Sequence, residues 1–142
     1  MSREEYADLL NLLLECERAG ARLLAAYVQE LPPRAGALEL LRGVQRDEAR
    51  NCAVLMHHLL EAGAAPSLKT GEFYRKGLAI RGWSERLEFL NRGQAWVARR
   101  IGEALPRIEP SPARAALQEM YDSHLANIAR CDGLQEETRL AG

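Results

Sequence analysis

The chain has 142 residues, the size of one ordinary domain. Leucine and alanine supply 45 of them, whereas valine, isoleucine and threonine supply only ten. Leucine and alanine favour helices and β-branched residues favour strands, so this ratio argues against a sheet protein and predicts an all-α chain. The net charge is −1, so no basic excess indicates binding to nucleic acid.

Cellular location is indicated by the first residues and by the cysteines. The chain opens with MSREEYADLL, which carries charges where a secretory signal is apolar. No apolar run approaches the roughly 20 residues that a membrane span needs. The cysteines are Cys16, Cys52 and Cys131, with no CxxC pair, which argues against a disulfide framework and a thiolate zinc site. We therefore expect a cytoplasmic protein that does not bind membranes and whose thiols fill its core.

Proline and glycine divide the chain into four long segments of helical composition. Ser111 followed by Pro112 predicts a helix start, and Gly63 predicts a helix end. We predict one domain over residues 1–142, with helices at about 4–31, 35–62, 83–105 and 112–137.

The connections between these helices predict the topology. The first and third connections are short, so each should join two antiparallel helices into a hairpin. The second connection, 63–82, is long enough to return along the bundle as a crossover. Two antiparallel hairpins joined by one long crossover form a ferritin-like four-helix bundle.

Three polar residues interrupt apolar stripes whose members lie three or four residues apart. Glu17, Glu48 and His124 occupy central stripe positions in the first, second and fourth helices. A buried, unpaired carboxylate is costly, so it shifts its pKa or binds a cation. In helix bundles that cation is often a metal ion, and Glu and His are suitable ligands for iron, manganese or zinc.

The two halves of the chain align weakly with each other. Glu17 corresponds to Asn91, Glu48 to His124, and Asn51 to Asn127. Glu17 and Glu48 are 31 residues apart, and their counterparts Asn91 and His124 are 33 residues apart. A pseudo-twofold axis would bring all six side chains to the middle of the bundle. We predict Glu17, Glu48 and His124 as metal ligands and Asn51, Asn91 and Asn127 as lining of the same cavity, where they contact a bound cofactor or small ligand.

On these residues the chain resembles the ferritin-like superfamily, particularly its small bacterial members related to rubrerythrins. Those families place a Glu on each of two helices and a Glu-x-x-His pair on each of the other two. This chain has Glu17 for the first Glu but Asn91 for the second. It has Glu48-x-x-Asn51 and His124-x-x-Asn127 where the pairs belong. The resemblance implies an iron or manganese site with a reduced ligand set, with redox or peroxide chemistry.

Other interpretations of the polar residues stay open. Glu17 and Glu48 could instead form ion pairs or a closed polar network, in which Glu48 and His124 hydrogen-bond each other directly. A ligand set shifted by one turn would use Glu88 with Asp122 or Glu119. The arginines available for ion pairs are Arg18, Arg22, Arg46 and Arg50.

Glycines and the crossover add two smaller expectations. Gly93 and Gly20 interrupt helices at a cost of roughly 1 kcal/mol each, which indicates close helix approach or a polar pocket. Residues 70–77 either form a lid over a ligand or cover one face of the bundle.

Three functions follow from this sequence. The first is a metal-binding bundle, and the second is a metal-free, degenerate bundle that acts as a dimeric interaction or stress-related scaffold. The third is an oxygenase, which resemblance to ferritin-like tRNA hydroxylases would imply. We also expect a homodimer, because four leucines of the first helix lie outside its stripe and would form an exposed patch. These are Leu9, Leu12, Leu14 and Leu23.

Overall fold

The computed structural model describes residues 1–30 and 35–141. These residues form five α-helices and no strand, which confirms the all-α prediction. A 3₁₀ turn, Leu105–Arg107, follows the fourth helix. None of the described helices combines the length and the apolar composition that crossing a bilayer demands. The helices are α1 (Arg3–Glu30), α2 (Ala35–Glu61), α3 (Phe73–Leu78), α4 (Trp83–Ala104) and α5 (Pro112–Ala141).

The helix ends lie close to the proline, serine and glycine signals in the sequence. Pro112 is the first residue of α5, and the Ser111 hydroxyl accepts a hydrogen bond from the Arg114 N–H at 3.1 Å. Gly63 follows α2 with a φ of 75°, a conformation that glycine adopts without strain. The predicted end of the first helix, residue 31, lies outside the described residues. The last helix extends to Ala141, beyond the predicted end at 137.

The four long helices bury two separate apolar clusters. The first core cluster comprises Leu10, Leu13, Leu14, Leu55, Leu59, Val97, Ile101, Leu105, Leu117 and Met120. The second core cluster comprises Leu23, Leu24, Tyr27, Ala37, Leu41, Val44, Leu87, Leu90, Cys131 and Leu134. Burial of these side chains supplies most of the driving force for folding, at about 25 cal/mol per Å² of apolar surface.

The order of residues in the two clusters gives the direction of each helix. Helices α1 and α5 pass from the first cluster to the second, whereas α2 and α4 pass from the second to the first. Consecutive long helices α1 and α2 are therefore antiparallel, and so are α4 and α5. Residues 62–82 connect the end of α2 beside the first cluster to the start of α4 beside the second.

This crossover contains a short helix, α3, that the sequence analysis did not predict. Helix α3 packs against α1 and α4. The buried Tyr27 hydroxyl donates a hydrogen bond to the Gly77 carbonyl at 2.7 Å. A Cβ at Gly77 would overlap the methyl groups of Leu23, so glycine permits this close packing. This hydrogen bond and the packing on Leu23 hold the crossover against α1.

The burial of leucines on α1 differs from the expectation of an exposed patch. Leu14 and Leu23 are fully buried in the two core clusters, and Leu9 and Leu12 are half-buried. The expected patch was wrong because α1 is covered on a second side by α3 and by α4. The predicted homodimer therefore loses the observation on which it rested.

Candidate functional site

A layer of buried polar side chains separates the two apolar clusters. Each long helix contributes to it at the point where its residues leave one cluster and enter the other. Glu17 and His124 are each 2% exposed, and Glu48 is 5% exposed. We call this set the polar layer; it comprises Glu17, Glu48, Asn51, Asn91, Gln94, His124 and Asn127.

Glu17 and His124 form the central contact of the polar layer. His124 Nε2 lies 2.5 Å from Glu17 Oε1, and Asn51 Nδ2 donates to the same oxygen at 3.3 Å. His124 Nδ1 faces Gln94 Oε1 at 3.4 Å. Burial opposes the imidazolium and lowers the pKa of His124, but the charge and hydrogen bond of Glu17 together with the charge of Asp47 outweigh burial, so this pKa lies above its ordinary value. Both ring nitrogens are engaged, so the predicted hydrogen bond between Glu48 and His124 is not formed.

Glu48 occupies space that a glycine leaves free on the facing helix. A Cβ at Gly20 would overlap the Glu48 carboxylate, so the predicted close approach at Gly20 admits a side chain of α2. Burial raises the pKa of Glu48 well above its ordinary value, and the charges of Glu17 and Asp47 raise it further. These effects therefore shift Glu48 toward its uncharged form.

One oxygen of each glutamate has no hydrogen-bond partner. Glu17 Oε2 and Glu48 Oε2 are both fully buried and unpaired. Neither glutamate forms an ion pair with an arginine of the described chain; Arg18 donates to the Lys69 carbonyl and Arg50 pairs with Asp47. Buried oxygens without partners are rare in folded proteins, and a ligand, water or ion would satisfy these two.

The three asparagines do not point to a common centre. Asn51 contacts Glu17 as described, whereas Asn127 donates to Asp47 Oδ2 at 3.1 Å. Asn91 donates to Asp132 Oδ1 at 2.7 Å and to the Ile128 carbonyl at 3.3 Å, and its Oδ1 accepts from the Gln94 amide. The side-chain amides of Asn91 and Asn127 therefore donate to aspartates that the sequence analysis did not associate with them.

The shifted ligand set does not lie in the polar layer. Glu88, Glu119 and Asp122 are exposed on the outer faces of α4 and α5. Gln118 donates to Asp122 Oδ1 at 3.1 Å, one turn along the same helix. These carboxylates face away from Glu17 because each stands one or two residues from a buried position of its helix, and each residue rotates the face by about 100°.

A cavity of about 470 Å³ is lined by both glutamates that carry the unpaired oxygens. Its polar end is formed by Glu17, Glu48, Gln94 and His124, and none of the three asparagines lines it. The rest of its wall is largely apolar. The apolar lining includes Leu12, Cys16, Phe73, Phe89, Leu90 and Val97.

Gly93 and α3 shape the aromatic wall of this cavity. A Cβ at Gly93 would lie 2.6 Å from the Phe73 ring, so glycine lets α3 pack directly on α4. The rings of Phe73 and Phe89 stack at a centroid distance of 4.4 Å. The sequence pointed to a close approach or pocket at Gly93 but did not identify Phe73, because α3 has no stripe of its own.

Comparison with known proteins assigns the chain to a family. Residues 4–133 match the model of the family described as Domain of unknown function (DUF6306). The chain belongs to the DUF6306 family. No curated protein and no solved structure matches it.

The donor set in the polar layer of this DUF6306 domain is small. Both glutamates with unpaired oxygens line one cavity, and carboxylates are suitable ligands for iron and manganese. Within residues 1–30 and 35–141, no group of three or more His, Cys, Asp and Glu side chains is arranged to hold a metal ion. The Asn91 side chain, which stands where the resemblance places a second Glu, is committed to Asp132, so a dinuclear ligand set is not assembled among these residues.

Proposed function

We propose that this protein is a ferritin-like four-helix bundle that binds one metal ion, iron or manganese, in the polar layer. The observation that carries the proposal is the pair of buried, unpaired oxygens, Glu17 Oε2 and Glu48 Oε2. Helices α1 and α2 are antiparallel, and so are α4 and α5; together with the long 62–82 connection, this supports the bundle topology. Free thiols at all three cysteines support a cytoplasmic location.

Glu17 and Glu48 would hold the ion through these two oxygens. His124, which the sequence suggested as a third ligand, acts instead as a positioning residue because its Nε2 is bound to the other oxygen of Glu17. A hydrogen bond of this kind fixes the orientation of a ligating carboxylate and tunes its basicity. A redox-active ion at this place would supply electron-transfer chemistry to a small molecule such as dioxygen or a peroxide.

The proposal is tested by elemental analysis of protein purified without an affinity tag or a chelator. We expect close to one iron or manganese per chain, and loss of that metal in Glu17→Gln and Glu48→Gln. Glu4→Gln and Glu39→Gln remove exposed carboxylates from the same two helices and serve as matched controls. Adding Mn²⁺ to metal-free protein should raise the melting temperature, because an ion at 100 times its Kd stabilises the native state by about 2.7 kcal/mol.

Absence of stoichiometric metal, together with an unchanged melting temperature in Mn²⁺ and in anaerobic Fe²⁺, would contradict the proposal. The second candidate, a metal-free scaffold that forms a homodimer, would then take its place. It is favoured by one observation: both nitrogens of His124 already have partners, so part of the polar layer is closed without an ion. Light scattering that returns twice the mass of one chain would support its dimeric form.

A further inference from the structure

The cavity above Glu17 and Glu48 is larger and more apolar than a metal ion requires. Its volume of about 470 Å³ lies within the roughly 300–1,000 Å³ of small-molecule sites. Such sites combine a largely apolar wall with a few converging polar groups, and here the buried polar groups are Glu17, Glu48, Gln94 and His124. The lining therefore fits a ligand that has one polar head and an apolar body.

The charge at the polar end selects the head group. Glu17 and His124 form an ion pair that is neutral as a whole, so the charge at this end depends on Glu48, whose ionised form a bound cation would stabilise. An ammonium group neutralises one negative charge, and its three N–H donors suit two carboxylate oxygens that lack partners. A neutral hydroxyl would satisfy only one of these oxygens, and a carboxylate head would be repelled.

We propose that the cavity binds a small primary amine, with its ammonium group between Glu17 and Glu48 and its apolar body against the wall formed by α3 and α4. This inference goes beyond the proposed metal site and does not rest on it, because the unpaired oxygens and the cavity are observed independently of any metal. The two cations use the same oxygens, so each displaces the other.

The wall and the rim indicate an aromatic body and a cationic ligand. The stacked rings of Phe73 and Phe89 line the cavity together with Trp96, which is 41% exposed. Aromatic rings pack well against such faces. Glu15, Glu72 and Arg92 also line the cavity; Glu72 already pairs with Arg75 and Lys76, so the charge that attracts a cation comes from the buried glutamates.

The test is isothermal titration calorimetry of the full chain in chelator, with a matched series of probes. These are 2-phenylethylamine, the uncharged 2-phenylethanol, the anionic 3-phenylpropionate, and ethylamine, which lacks the apolar body. We expect 2-phenylethylamine to bind at least about tenfold more tightly than each of the others, because both the charged hydrogen bonds and the apolar contacts contribute. Glu48→Gln should weaken its binding about tenfold, whereas the exposed Glu39→Gln should leave it unchanged.

Three results would overturn the inference. They are equal affinity for the amine and the alcohol, equal affinity for 2-phenylethylamine and ethylamine, and binding that survives Glu48→Gln unchanged. The probe series on the wild-type chain decides the question even where a variant folds poorly. Metal binding without amine binding would reject this inference and leave the proposed metal site standing. Amine binding without metal binding would support this inference and reject the proposed metal site.

Discussion

The contact between Gly20 and Glu48 makes a quantitative prediction about stability. Alanine is favoured over glycine in a helix interior by roughly 1 kcal/mol, so Gly20→Ala would stabilise α1 if its surroundings were open. They are not open, because a Cβ at this position overlaps the Glu48 carboxylate. Overpacking of a buried site costs about 1–3 kcal/mol, so the single variant should be destabilised by about 1 kcal/mol.

Removing the Glu48 carboxylate should reverse the sign of the Gly20 substitution. In a Glu48→Ala background the new methyl group meets no carboxylate, so Gly20→Ala should stabilise by up to about 1 kcal/mol. The coupling energy of the double-mutant cycle is then about 2 kcal/mol, well above the roughly 0.3–0.5 kcal/mol found for independent sites. The measurement is urea unfolding of all four proteins in chelator, so that metal binding does not contribute.

Gly133→Ala serves as the control for helix propensity alone. Gly133 is exposed in α5 and has no atom within 4 Å of an added Cβ. The Gly133→Ala substitution should stabilise the chain by about 0.5–1 kcal/mol both in the wild-type chain and in Glu48→Ala. A coupling energy below about 0.5 kcal/mol between positions 20 and 48 would refute the packing argument.

Two further predictions concern α3 and the thiols. Tyr27→Phe should lower the free energy of unfolding by about 1–3 kcal/mol, because it leaves the buried Gly77 carbonyl without its donor. Tyr74→Phe on α3 is the control in the same urea experiment, and an equal effect of both substitutions would contradict this assignment. Burial raises the pKa of the cysteines, so alkylation by iodoacetamide at pH 8 should be about 100-fold or more slower in the native chain than in guanidinium. The rate in the native chain should rise about tenfold per pH unit, because the thiolate fraction does so below the pKa. Fast native alkylation at pH 8 would show that the thiols are accessible and ionised. The pKa is raised to about 12 for Cys16, about 11 for Cys52 and about 11 for Cys131.

The sequence by itself determined the helical class, the long helices and the positions of the buried polar residues. These features are encoded locally: proline and the Ser111 and Gly63 signals mark helix ends, and a stripe of period near 3.6 shows which residues share a face. Glu17, Glu48 and His124 stand on such stripes, and all three are buried. A stripe position is enough to predict burial because burial depends on the face of one helix.

Only the tertiary structure decided which polar groups meet. Asn127 binds Asp47 and Asn91 binds Asp132, because hydrogen bonds form or fail within a few tenths of an ångström. That distance depends on the rotation and rise of one helix against another, which periodicity does not specify.

The same limit explains α3 and the cavity. A helix of six residues without a side-chain N-cap is too short to form on local propensity. It is held by contacts with α1 and α4, through Tyr27 and Phe89, that are remote in sequence. The aromatic wall of the cavity therefore exists only once the long helices have packed.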